Sequence, residues 1–200
     1  DHTRSPGAEH LAASSGIIFL FDPTANRYFR GALTDHEDPQ LQLSGVGDQQ
    51  DTLLAEMLHR LRRIKGLGAK EKVTTPLAVV VGKFDVWGSL LGEQLPADPL
   101  VTDPRSHFSL DAVDSNSKIV RDLLQRIFPE IVQYAEAISH DVKFFPATSF
   151  GHSPVRFRTA QSVSSPDASG GGIEDNFYIG PDPKKMSPYL VEAPLLWILS

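Results

Sequence analysis

Three strand-length apolar runs, 16–21, 76–81 and 142–145, are separated by segments whose apolar residues recur at helical spacing. This alternation constrains the fold more than any other feature, because strands joined through helical crossovers pair in parallel with one handedness. Gly16-Ile17-Ile18-Phe19-Leu20-Phe21 is closed by the turn dipeptide Asp22-Pro23 and carries no polar alternation, which predicts a central strand buried on both faces. Pro76-Leu77-Ala78-Val79-Val80-Val81 reads as a second buried strand. Between them, Leu53, Leu54, Met57, Leu58, Leu61 and Ile64 share one helical face, and Gly66 stops that helix. A further helical spacing runs from Ser115 through Ile127, and Pro129 interrupts it, predicting a kinked helix or two consecutive ones. Val142 to Phe145 is the third strand, ending in the small-residue turn Pro146-Ala147-Thr148-Ser149-Phe150-Gly151. The expected class is α/β, a mostly parallel sheet with flanking helices.

The connecting segments carry turn chemistry. Residues Gly31 to Gln50 lack a sustained period and read as a loop insertion, and a Pro/Gly/Asp-rich stretch beyond Asp85 reads as a long loop to about Asp114. Residues 153–187, with Ser164-Ser165-Pro166 and Ser169-Gly170-Gly171-Gly172, have the composition of a flexible loop insertion. Pro188 to Ser200 predicts a short closing helix with proline in its first turn, burying Trp197, Leu195, Leu196, Ile198 and Leu199. With 200 residues, 40% of them hydrophobic, the chain fits one domain over 1–200. It contains no cysteine, which excludes thiolate catalysis, Cys-ligated zinc and disulfide scaffolds and suits a reducing cytoplasm. No apolar run reaches membrane-spanning length, and the net charge of −6 argues against nucleic acid as a partner. A chain opening at Asp1 with neither methionine nor a signal-peptide pattern reads as a partial or processed one.

In parallel sheets, ligands bind beyond the carboxyl ends of the strands. Three segments occupy that position: Asp22-Pro23-Thr24, Gly82-Lys83-Phe84-Asp85 and Ala147-Thr148-Ser149. Guanine presents two adjacent donors, N1–H and the N2 amine, and one carboxylate can accept both, whereas adenine has no such pair. A lysine two residues before that carboxylate can lay its stem along the flat face of the base. Lys83 and Asp85 have this spacing, and the small residues Ala147, Thr148 and Ser149 allow a backbone N–H to approach the base O6.

With Gly82-Lys83-Phe84-Asp85 similar to the Asn/Thr-Lys-x-Asp motif and Phe145-Pro146-Ala147-Thr148-Ser149 similar to the Ser-Ala-Lys-type loop, the chain resembles the C-terminal half of a Ras-like, translation-factor-related P-loop GTPase. That class is taken broadly, to include bacterial GTPase-like domains of conflict and signalling systems. The resemblance implies that Lys83 packs on the base, Asp85 reads N1 and N2, and Ala147, Thr148 or Ser149 contacts O6. It further implies GTP/GDP with Mg²⁺ as cofactors, hydrolysis of GTP by the complete domain, and a switch role toward protein partners. Gly82 stands where that family carries Asn or Thr, and no Gly-x-x-x-x-Gly-Lys-Ser/Thr occurs in the chain. The phosphate-binding half is therefore expected upstream of Asp1, and no catalytic residue is assigned within these residues. The rival expectations are a degenerate, non-catalytic scaffold and a small-molecule enzyme on a flavodoxin-like sheet. Asp22 reads as a turn cap, Trp87 as packing, the acidic loop around His36 as solvated, and Arg60, Arg62, Arg63 and Lys65 as a helix end meeting its dipole. Ser149 near His152 lacks the elbow that a hydrolytic nucleophile requires.

Overall fold

The strand Leu77–Val81 has all five residues buried, which requires cover on both faces and a partner on each edge. A computed structural model of the chain describes residues 6–33, 38–43, 50–94, 97–101, 107–158 and 177–200. In chain order, α1 (Pro6–Ala13) leads into β1 (Ile17–Phe21), and a 3₁₀ turn over Pro23–Ala25 leads into α2 (Arg27–Ala32), α3 (Pro39–Leu43) and α4 (Gln50–Lys65). There follow β2 (Leu77–Val81), α5 (Phe84–Trp87), β3 (Leu100–Val101) and β4 (His107–Phe108). The chain continues through α6 (Leu110–Ile127), α7 (Pro129–Ile138), β5 (Val142–Pro146), β6 (Val155–Arg158), β7 (Phe177–Gly180) and α8 (Ala193–Leu199).

The main sheet has the order β1-β2-β5, with both pairings parallel and with Phe19, Val79 and Phe144 level with one another. The α/β expectation thus holds at the level of a three-stranded parallel sheet flanked by helices. On one face Ile17, Phe21, Leu77, Val79, Val81 and Phe144 join the principal core with Leu54, Leu58 and Leu61 of α4 and Ile131 and Ala135 of α7. On the other, Ala78 and Phe145 are covered by Ala193 and Trp197 of α8 and Val113 of α6. Pro129 ends one helix and begins the next at its first position, so the interrupted pattern is two helices. Gly66, at φ 65°, follows α4 as a left-handed cap.

Several expectations are corrected. β1 is an edge strand, and Ile18 and Leu20 are 51% and 69% exposed, so its apolar run is not buried on both faces. α8 covers Ala78 of β2 and Phe145 of β5, while Ile18 and Leu20 of β1 stay exposed. In α8 itself Trp197 is buried, but Leu195, Leu196 and Leu199 are exposed. The segment Gly31–Gln50 is more than a loop: it holds the end of α2 and all of α3, and Leu33 and Leu41 are buried in the core. The stretch after Asp85 holds α5 and the short β3–β4 pair, and α6 begins at Leu110 because the Ser109 hydroxyl accepts from the Ala112 N–H. The ends of the segment 153–187 pair as an antiparallel ladder between β6 and β7, while residues 159–176 lie outside the described residues. The acidic loop around His36 also lies outside them. No helix among the described residues is long and apolar enough to cross a membrane.

Phe144 carries the core between the sheet and α6–α7. Its replacement by alanine should cost about 3–5 kcal/mol, read as a fall in the urea midpoint at unchanged slope.

Candidate functional site

The carboxyl ends of the three parallel strands present their turns side by side. At the first, the Asp22 carboxylate accepts from the Thr24 N–H at 2.9 Å and from the Thr24 hydroxyl at 2.7 Å, the capping role expected of it. Asp22 has a second role that its own turn does not announce. Lys83 Nζ lies 2.9 Å from Asp22 Oδ2 and donates to Thr24 Oγ1 at 2.7 Å, tying the turn after β2 to the turn after β1. Lys83 adopts φ 57°, ψ 42°, a left-handed conformation that costs a non-glycine residue about 1 kcal/mol or more. Strain of this kind persists only where the surroundings over-determine it. Here the Lys83 carbonyl accepts from the Val86 N–H to close the first turn of α5, while the ammonium is held across the strand ends.

α5 carries Asp85 and is pinned to the β5 turn. The Phe84 N–H donates to the Ala147 carbonyl at 3.0 Å, and the Trp87 indole N–H donates to the Gly82 carbonyl at 2.8 Å. Trp87 is fully buried, edge-on to both Phe84 and Phe29, so it packs as expected. Phe84 stacks on Tyr189 with ring centroids 5.3 Å apart, and the backbones of Tyr189 and Thr148 exchange two hydrogen bonds. Burial, and secondarily the charge of Asp98, push the Tyr189 phenol above its ordinary range.

Asp85 and Thr148 meet directly. The Thr148 hydroxyl donates to Asp85 Oδ1 at 2.6 Å and accepts from the Gly151 N–H at 3.0 Å, so one relay fixes the carboxylate from the β5 side. Asp85 Oδ2 accepts from Gln40 Nε2 of α3 at 2.7 Å. Gln40 comes from a polar segment 45 residues away and was not among the residues singled out from sequence. No local pattern marks it.

A cavity of about 500 Å³ opens at these strand ends, within the range of small-molecule clefts. Its polar wall is formed by Asp22, Gln40, Lys83, Thr148 and Ser149, and its apolar wall by Ile18, Leu20, Val80, Pro194 and Leu195 among others. Of the five residues expected at a site, Lys83, Ala147, Thr148 and Ser149 line the cavity. Asp85 stands behind Gln40 and Thr148, off its wall. The three N–H groups of the β5 turn are not equivalent. That of Ala147 is spent on the Val81 carbonyl and that of Thr148 on the Tyr189 carbonyl, whereas Ser149 is exposed and its N–H makes no hydrogen bond among the described residues. Ser149 is thus the position at which this turn can offer a donor.

Gly82 is not imposed by crowding. A Cβ there would meet the Phe21 carbonyl at 3.6 Å and Leu20 at 3.8 Å, ordinary contact distances. The imidazole of His152 contacts the Ser153 and Asp182 carbonyls. Among the described residues no group of three or more His, Asp or Glu side chains could hold a metal ion. Compared with protein-family models, curated proteins and solved structures, the chain matches none of them.

Gly151 is required by geometry. At φ 74°, an added Cβ would lie 2.1 Å from the Ser187 carbonyl oxygen, a backbone atom that cannot rotate away. Gly151→Ala should destabilise the fold by more than about 1 kcal/mol and release Thr148 from its N–H donor. Gly82→Asn should leave stability within about 1 kcal/mol of the parent. Thermal melts of the two variants side by side check both expectations.

Proposed function

We propose that this chain is the base-recognising portion of a GTPase-like, guanine-nucleotide-binding domain. The reading rests on the convergence of Lys83, Asp85 and the Ala147–Ser149 turn at the carboxyl ends of two adjacent parallel strands. In it, the Asp85 carboxylate accepts from guanine N1–H and N2–H, the Thr148 hydroxyl holds that carboxylate in place, and the Ser149 N–H approaches O6. Lys83 contributes the stem that lines the cavity, its ammonium anchored on Asp22 and Thr24. The sequence has no Gly-x-x-x-x-Gly-Lys-Ser/Thr loop, so in this reading the groups that hold the phosphates and Mg²⁺ belong to another part of the domain. With a phosphate-binding loop supplied by preceding residues, the complete domain would bind GTP, hydrolyse it in the cytoplasm and act as a switch for protein partners.

A second reading, a scaffold that no longer binds nucleotide, is favoured by one observation. The uncovered apolar face of β1 beside the exposed Leu195 is a surface of the kind that meets other proteins. The two readings separate by titration of the full chain with fluorescent guanine and adenine nucleotides. Saturable binding of the guanine ligand alone is expected, and Asp85→Ala should erase the preference. Asp85→Asn, which offers one acceptor and one donor, should shift the preference toward xanthine, whose C2 bears a carbonyl. Absence of saturable binding, or a preference indifferent to Asp85, overturns the nucleotide reading in favour of the scaffold.

A further inference from the structure

We propose that Gln40 is a displaceable internal ligand of Asp85, a latch that holds the site closed until a base with two adjacent donors takes its place. The inference rests on the guanine-binding reading and concerns the regulation of that same site.

Three observations carry it. Asp85 Oδ2 is engaged by the Gln40 amide at 2.7 Å, the kind of N–H donor that an incoming base would present. Gln40 and Thr148 both line the cavity and both contact the Asp85 carboxylate, so a ligand in the cavity adjoins the two groups that engage it. The two contacts differ in what supports them. Thr148 is buried and fixed by Gly151 and by its backbone exchange with Tyr189, and its hydroxyl leaves Oδ1 further lone-pair capacity. Gln40 reaches Asp85 only through the end of a long, rotatable side chain.

The backbone beneath Gln40 is secured independently of that contact. Asp38 accepts from the Gln40 N–H at 2.8 Å and from the Ser153 hydroxyl, while the Leu41 carbonyl accepts from Arg30 at 2.5 Å and the Leu41 side chain is buried. Opening therefore needs only rotation of the Gln40 side chain, with α3 left in place. A closed site lowers apparent affinity by the fraction of molecules that are open, so removing the latch raises affinity by the inverse of that fraction. A hydrogen bond from an amide to a carboxylate is strong enough to make this roughly tenfold.

The test is titration of the full chain with guanosine, followed by ¹H–¹⁵N correlation spectra, for the parent and for Gln40→Met, which keeps the side-chain length and loses the donor. The Gln40 side-chain amide signals should move as guanosine saturates the parent, adenosine should leave them in place, and Gln40→Met should bind guanosine about tenfold more tightly. Should Gln40→Met melt early, Gln40→Glu serves instead, since like charge beside Asp85 drives the latch off and the same tightening is expected. If guanosine saturates the parent and both variants bind it equally or more weakly, the latch is overturned and the guanine reading stands. If guanosine saturates neither parent nor variants, both fall together.

Discussion

Burial of β2 on both faces and both edges is the constraint from which the site follows. Leu77–Val81 offers no polar side chain to water, so it is stable only between two other strands and beneath helices on each side. Parallel pairing on both edges then brings three carboxyl ends to one rim, and the residues just beyond them become neighbours although they are about 60 positions apart in the chain. The ion pair between Lys83 and Asp22 and the hydrogen bond between Thr148 and Asp85 are consequences of that arrangement. Each cross-links the turn after β2 to the turn of a neighbouring strand, one on either side.

The two cross-links have different characters. Lys83 and Asp22 are each about one-third exposed, a setting in which an isolated pair adds little stability; its effect is to hold a left-handed lysine in a defined place. The Asp85–Thr148 contact belongs to a chain that begins at the Gly151 N–H and is backed by the Tyr189 exchange and the Phe84–Tyr189 stack. The carboxylate is therefore better fixed from the β5 side than from the α3 side, where a single flexible amide reaches it.

What could be read in the chain and what could not divides along physical lines. The β2 run, the helix closed by Gly66 and the proline that separates α6 from α7 are local signals, and the structure follows them. β1 has the same uninterrupted apolar character as β2, yet nothing local distinguishes an edge strand with Ile18 and Leu20 uncovered from a central one. α2 and α3 are too short to display a period, and they are held by the Asn26 cap and by burying Phe29 and Leu41. α6 starts at Leu110, ahead of the Ser115 expected from its apolar spacing, because its Ser109 cap and first turn lie at the end of a stretch whose composition reads as loop. That Lys83, Asp85 and the Ala147–Ser149 turn come together could be expected, because parallel strands bring their carboxyl ends to one rim. Gln40 and the Asp22–Lys83 pair could not, since both are long-range contacts made by side chains with no local pattern to mark them.

The indole of Trp87 sits fully buried between Phe29 and Phe84, with its N–H on the carbonyl of Gly82, one residue before Lys83. The chain has two tryptophans, and the other, Trp197 of α8, packs against Phe145 on the opposite face of the sheet. Light emitted by Trp87 accordingly originates within the loop that carries Lys83 and Asp85, shielded from water and sensitive to any shift of the Gly82 carbonyl. The protein therefore carries its own optical gauge of that loop, separable from the second fluorophore by replacing Trp197 with phenylalanine, with no dye or label attached.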